Sequence, residues 1–390
     1  MRKRSALALL VVVFGLVAPI VAVGGAPASA TTPEAEASGA ELLVRPSKIG
    51  PYAVGRTTVS MTDPSRSGFE PDTFRTLTVD VWYPSDPEQV VGATKSFLDL
   101  LVTQAELPLA YADTEVSLDG DFPLVVFSHG SGGIRFQSWF LMEFLASHGF
   151  VVVAPDHAGN TALDGLFGTT TPFAVTARNR PLDVSFVLDQ MLASDDTVGD
   201  RFENTLDERH IGVVGHSFGG FTALAMEAGY GDIAPDPRVD AIVPVAPAAG
   251  PFTDAELSTI TDPMLLLGGT SDITTPILNN TTRPWELVSS DRAYRVDIDR
   301  AGHNSFTNIC DLRDILLDAG LPPDLLEAIL ANAEEGCAPE LLPIKQVQRI
   351  TNLYVVSFLQ RVLNRDGGYQ RFLTRGYARS RDLPVDFYRR

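Results

Sequence analysis

Five residues, Gly215-His216-Ser217-Phe218-Gly219, constrain this chain more than any other stretch. They read G-x-S-x-G, a pattern that is common by itself, so the flanks decide its meaning. Ile211-Gly212-Val213-Val214 ahead of it suits a buried strand, and Gly220 to Ala228 behind it is apolar and helix-forming. Strand, tight turn and helix in that order lift a serine hydroxyl above a sheet edge. Glycines flank the serine because a side chain there would crowd the crossing of helix over strand. The helix N-terminus beneath Ser217 adds partial positive charge at the turn.

Around this turn the hydropathy pattern alternates strand and helix. Leu77 to Tyr83, Pro123 to Phe127, Phe150 to Ala154, Ala241 to Val245, Met264 to Leu267 and Ala293 to Ile298 read as strands. Phe136 to Ser147 reads as a helix stopped by Gly149, and Arg178 to Ala193 as a helix with Pro181 near its start. From about Asp311 the pattern is mainly helical. Such alternation predicts an α/β fold with a mostly parallel central sheet covered by helices on both faces. The near-continuous apolar runs fit strands buried on both sides. The Gly/Thr-rich stretch 158–176 follows the carboxyl end of a strand, where ligands bind in open α/β sheets. It reads as either a substrate loop or a plain surface loop.

Of the 390 residues, 45% are hydrophobic, enough for one large domain over 46–390. Residues 1–30 read as a secretory signal peptide. Arg2-Lys3-Arg4 is its basic start, Ala6 to Val23 its apolar stretch, and Ala28-Ser29-Ala30 its small-residue cleavage site. Residues 31–45 read as a disordered leader. The expected location is therefore outside the cell or in a periplasm-like space, with no stable membrane span. The formal charge of -19 argues against nucleic acid or an anionic membrane as partner. Cys310 and Cys337 are the two cysteines; in an exported protein they are expected to form a disulfide rather than hold a metal.

A serine nucleophile needs a base, and folds with this elbow order the chain as serine, acid, histidine. His303 is the one histidine after Ser217, in Gly302-His303-Asn304 just past the last expected strand. Asp272 is the favoured acid because it follows the Met264 to Leu267 strand at the catalytic edge. Asp262 lies at the wrong end of that strand, and Asp297 and Asp299 are outside alternatives. The expected oxyanion hole takes the amide of Phe218, after the nucleophile, and that of Ser131 in His129-Gly130-Ser131-Gly132-Gly133. His129 is expected to shape that loop.

The segments Pro123–Gly133, Leu145–His157, Gly215–Gly220, Gly268–Pro276 and Gly302–Phe306 together resemble the plasma-type platelet-activating factor acetylhydrolases and the related predicted dienelactone hydrolases. The resemblance spans most of 77–310. It implies an α/β-hydrolase fold and a secreted serine esterase with Ser217, Asp272 and His303 as triad. It also implies small-molecule or lipid ester substrates with short or oxidised acyl chains, and no metal or other cofactor. True dienelactone hydrolases use a cysteine where this chain has Ser217, so their substrate is not implied. Similarity to actinobacterial cutinases and polyester hydrolases is weaker. Those carry an aromatic wall, usually Trp, where this chain has Ala248; Trp285 is the one candidate to replace it from another loop. The competing functions are a lipase or cutinase on insoluble esters, which would show an exposed apolar rim, and a peptidase or amidase, which would need a peptide pocket. A non-catalytic binding protein on the same fold usually lacks a triad member.

Overall fold

The computed structural model describes residues 45–68, 72–193, 201–321 and 333–390. The expected signal segment and nearly all of the leader lie outside the described residues. The strands are β1 (Ala53–Ser67), β2 (Phe74–Ser85), β3 (Lys95–Asp99), β4 (Gln104–Ala112), β5 (Phe122–Ser128), β6 (Val151–Pro155), β7 (Leu206–His216), β8 (Val239–Val245), β9 (Met264–Gly269), β10 (Ala293–Ile298) and β11 (Val385–Arg389). They form one sheet in the order β11-β10-β9-β8-β7-β5-β6-β2-β1-β4-β3. The strands from β6 to β10 pair in parallel, β2 joins antiparallel to β6, and β11 antiparallel to β10.

Burial follows from that topology. β5, β6 and β9 are buried at every position, as parallel strands covered on both faces must be. Alternate residues serve two cores. Val125, Phe127, Val214 and Val243 pack with α1 (Trp139–Ser147) and the long helix Ile344–Val362. Leu124, Val126, Val213 and Ile242 pack with α3 (Phe173–Leu192) and α4 (Phe218–Ala228). The chain leaves β5 for β6 on one side, then returns through α3 to β7 on the other. The carboxyl ends of β5 and β7 are thus a topological switch point, where a crevice opens.

Three expectations need correction. The stretch 158–176 is not all loop: it holds α2 (Ala162–Phe167), started by a capping box between Thr161 and Asp164, and the first turn of α3. α3 begins at Phe173, behind Pro172, so Pro181 sits inside it rather than at its start. An interior proline removes one backbone hydrogen bond, and the packing of Ala177, Val184, Val187, Leu188 and Met191 outweighs that loss. The C-terminal part is helical from Ile309, yet it ends in β11. The last helix ends at Ser380 and is closed by Asp382 in the left-handed region (φ 48°) and by the Leu383 amide donating to the Ala378 carbonyl, and Val385-Asp386-Phe387 finds its partner in β10, remote in sequence.

Cys310 and Cys337 form a disulfide across a sequence separation of 27. It tethers the short helix Glu334–Cys337 against the active edge. A Cβ on Gly302 would lie 2.3 Å from the Glu335 carbonyl oxygen, so that helix touches the backbone beside His303. The Glu335 carboxylate accepts from the Ile273 and Thr274 amides and the Thr274 hydroxyl, next to Asp272. Replacing both cysteines with serine is expected to lower unfolding stability by about 3 kcal/mol, from the closure entropy of a loop of this length. Urea denaturation of the two proteins measures it; equal midpoints and slopes would refute it.

Candidate active site

The elbow is built as the sequence pattern requires. Ser217 has φ 57° and ψ −116°, a conformation that a side chain disfavours and that places its hydroxyl above β7. A Cβ on Gly219 would lie 1.8 Å from the Ser128 carbonyl oxygen, so α4 crosses β5 at a distance only glycine permits. Backbone bonds hold the turn: the Ser217 amide donates to Val245, and the Ser217 carbonyl accepts from Phe221 and Ala248.

Ser217 Oγ lies 2.8 Å from His303 Nε2, and His303 Nδ1 lies 2.9 Å from Asp272 Oδ2. The Thr275 amide donates to Asp272 Oδ1 at 2.6 Å. The Thr275 hydroxyl sits 2.8 Å from Asp272 Oδ2 and 3.0 Å from His303 Nδ1. Burial pushes the Asp272 carboxyl up, but the His303 ring and the Thr275 donors outweigh it and hold the carboxyl below its usual range. The alternatives are engaged elsewhere. Asp297 pairs with Arg295, Asp299 lies by Thr270, and Asp262 faces Glu227.

Gly130, Ser131 and Phe218 form the facing wall. A Cβ on Gly130 would lie 3.4 Å from the Ser217 Cβ, so the loop after β5 rests against Ser217. Phe218 is the first residue of α4, where an amide has no intrahelical acceptor. Among the described residues neither the Ser131 nor the Phe218 amide donates to a protein acceptor. His129 Nδ1 donates to the Gly130 carbonyl at 2.7 Å, while its Nε2 accepts from the His157 amide at 3.0 Å. It thus shapes the loop from within.

Sequence reasoning missed several supports. Gln137 accepts from the Gly130 amide and donates to His216 Nδ1, and His216 Nε2 donates to the His303 carbonyl at 2.9 Å. This chain of bonds ties the loop after β5 to the backbone of His303. Nothing local in the sequence signals Gln137 or Thr275. A second array, Ser128 Oγ to His157 Nε2 at 2.8 Å and His157 Nδ1 to Asp183 at 2.9 Å, repeats the Ser-His-Asp pattern. Its three residues are sealed in the interior, out of reach of any ester. Asp183 is also gripped by Arg66 and, through two nitrogens, by Arg75. Burial would raise this carboxyl, but Arg75 and His157 bring it well below the usual range.

The polyester-type aromatic wall is missing at both expected places. Ala248 stands beside Ser217, and Trp285 packs on Tyr388 with Arg295 and Arg390 against its ring. Half-exposed Phe173 instead stacks on Phe218, 5.4 Å between ring centroids. Leu166, Phe167, Val175, Ile273 and Leu278 are further exposed apolar side chains on the segments that flank the site.

A solved structure with the same architecture is a ferulic acid esterase from Streptomyces cinnamoneus, at TM-score 0.62 and 26% identity, covering 87% of this chain and 97% of that one. This chain has the α/β-hydrolase fold. A family model described as PET hydrolase-like matches residues 125–313, and one for platelet-activating factor acetylhydrolase, isoform II, matches 40–180. The chain is 24% identical to a platelet-activating factor acetylhydrolase of Cavia porcellus, over 46% of this chain and 51% of that protein. It is 28% identical to a cutinase of Thermobifida alba, over 46% of this chain and 52% of that one. It spans about half the length of these curated relatives.

Three buried histidines are expected to make the fold acid-sensitive. Burial first, then the Arg180 charge, brings His157 down to about 4; burial and the nearby His303 bring His216 down to about 3. Burial with Arg180 also holds His129 well below its usual range. Unfolding returns each to about 6.5, so the unfolded chain binds more protons below that pH. Their stabilisation is complete above pH ~6.5 and lost as pH falls toward about 4, by up to ~1.4 kcal/mol per pH unit for each histidine. Thermal midpoints should fall steadily from pH 7 to 4.5. A flat profile there would contradict the neutral assignment.

Proposed function

We propose that this protein is a secreted serine carboxylic-ester hydrolase that works through an acyl-enzyme. Ser217 attacks the ester carbonyl while His303 Nε2 takes its proton, and Asp272 holds the imidazole in the tautomer that leaves Nε2 free. The amides of Ser131 and Phe218 receive the tetrahedral oxyanion. His303 then protonates the leaving alcohol, and water activated by the same ring releases the acid. No metal or cofactor enters this scheme.

The observation that carries the reading is the unbroken line from Ser217 Oγ through His303 to Asp272, beside two amides that donate to no acceptor among the described residues. Export is part of the proposal: residues 1–30 act as a signal peptide removed near Ala30, 31–45 as a leader, and 46–390 as one catalytic domain. The Cys310–Cys337 disulfide supports an oxidising compartment. Among the described residues no helix is long and apolar enough to cross a membrane.

The preferred substrates are small-molecule or lipid esters of short or medium acyl chains, in line with the likeness to acetylhydrolases. One observation favours a second reading, a cutinase or lipase on insoluble esters: the exposed apolar side chains around Phe173 and Ile273. Initial rates on p-nitrophenyl esters from acetate to palmitate separate the two. A maximum at short chains supports the acetylhydrolase-like reading; a maximum at long chains, or erosion of a polyester film, supports the second. A folded protein that hydrolyses none of them overturns both.

A further inference from the structure

Arg180 of α3 is fully buried and makes no salt bridge among the described residues. Its guanidinium spends its N–H groups on neutral acceptors. Nε and Nη2 donate to Asn160 Oδ1 at 3.0 and 2.7 Å, and Nη1 to the Ser128 hydroxyl at 3.3 Å. Two more bonds reach consecutive carbonyls of the loop after β5: Nη1 to His129 at 2.6 Å and Nη2 to Gly130 at 2.9 Å. Burial brings this guanidinium down to about 9 against the opposing pull of Asp183, so it is charged at neutral pH. A buried cation held by carbonyls rather than a carboxylate is a costly arrangement, and core packing does not call for one.

The peptide geometry shows what this arrangement does. In a trans peptide the C=O of one residue and the N–H of the next point in opposite directions. The Gly130 carbonyl is held by Arg180, by His129 Nδ1 at 2.7 Å and by the Gly133 amide at 3.1 Å. The Ser131 N–H of that same peptide therefore points away from the interior, on the side where Gly130 rests against Ser217. Asn160, itself gripped by Arg180, donates to the Ser131 hydroxyl at 3.1 Å and fixes the residue from its other end. The guanidinium carbon also lies 4.7 Å from the ring centroid of Phe218, the second donor residue. A cation on the carbonyl oxygen draws electron density from the amide and strengthens its N–H as a donor.

We propose that Arg180 is a positioning residue for the oxyanion hole: it aims and polarises the Ser131 amide and seats Phe218, without touching substrate. This rests on the serine-esterase reading above. The test compares wild type with Arg180→Met, Arg180→Lys and Asn160→Ala on p-nitrophenyl butyrate, together with inhibition by a trifluoromethyl ketone that forms a tetrahedral adduct.

For folded Arg180→Met, kcat should fall about 100-fold, the scale of losing one oxyanion donor, while KM stays within roughly threefold. The ketone inhibition constant should rise in proportion to the loss in kcat/KM, because the ketone mimics the transition state. Arg180→Lys should recover part of kcat by holding one of the two carbonyls. An unchanged kcat in Arg180→Met, or a loss carried in KM alone, overturns the proposal. If Arg180→Met does not fold, Asn160→Ala carries the test: kcat and ketone affinity should drop together, and unchanged values for both overturn it. A wild type inert toward every ester and the ketone removes the esterase reading, a failure distinct from that of Arg180.

Discussion

Ser217→Ala should lower kcat by about six orders of magnitude, with KM nearly unchanged. The methyl group fits the same turn, and the amides of Ser131 and Phe218 still face the carbonyl, so binding survives while the covalent step is lost. A small rate above that of water should remain, from the oxyanion donors alone. The same position makes a separate prediction about stability. At φ 57° and ψ −116° alanine keeps the strain that serine has, whereas glycine does not. Ser217→Gly should therefore unfold about 1 kcal/mol later than Ser217→Ala, although both are inactive. Urea denaturation beside the ester assay reads both effects. Undiminished turnover in Ser217→Ala would remove Ser217 as nucleophile, and equal stabilities would remove the strain.

Asp272→Asn should lower kcat about 10⁴-fold and leave the fold intact. The reason lies in Thr275. Its amide donates to Asp272 Oδ1 at 2.6 Å, which fixes that side as an acceptor. Asparagine must place its carbonyl oxygen there, so its NH₂ faces His303 Nδ1. The ring then has to carry its proton on Nε2, the atom 2.8 Å from Ser217 Oγ, and no longer takes the serine's proton. Asp272→Ala, which has no donor to impose the wrong tautomer, should lose less than asparagine if the tautomer is the main effect. Rates on p-nitrophenyl acetate for both variants decide it. An asparagine variant within tenfold of wild type would discard Asp272 as the acid.

These predictions concern residues legible in the sequence, and there is a physical reason for that. The elbow is local: strand, glycine, serine, glycine and helix are contiguous, so steric limits on the backbone write themselves into the order of residues. Asp272 and His303 are 31 residues apart in the chain. Each nonetheless follows a recognisable buried strand, β9 and β10, whose parallel pairing brings their carboxyl ends to one edge. The parallel core was legible likewise, because strands buried on both faces read as apolar runs. β1, β3 and β4 were not: they are amphipathic or interrupted, with Asp63-Pro64 inside β1 and Pro108 inside β4, and the β3–β4 hairpin joins the sheet only where β4 meets β1, remote in sequence.

By itself the sequence determined the α/β architecture, the strand-turn-helix around Ser217, the places of Asp272 and His303 after their strands, and the two cysteines that pair. Local backbone sterics and period-two or continuous hydrophobicity carry that information. Only the tertiary structure decided what supports the site. Gln137 and His216 link the loop after β5 to His303, Thr275 fixes Asp272, Glu335 braces the loop beside it, and Arg180 holds the carbonyls of His129 and Gly130. Those roles depend on which polar groups meet after the helices pack, at separations where no periodicity links the partners. A buried hydrogen bond is set by where two atoms arrive, and one residue's identity does not reveal its partner.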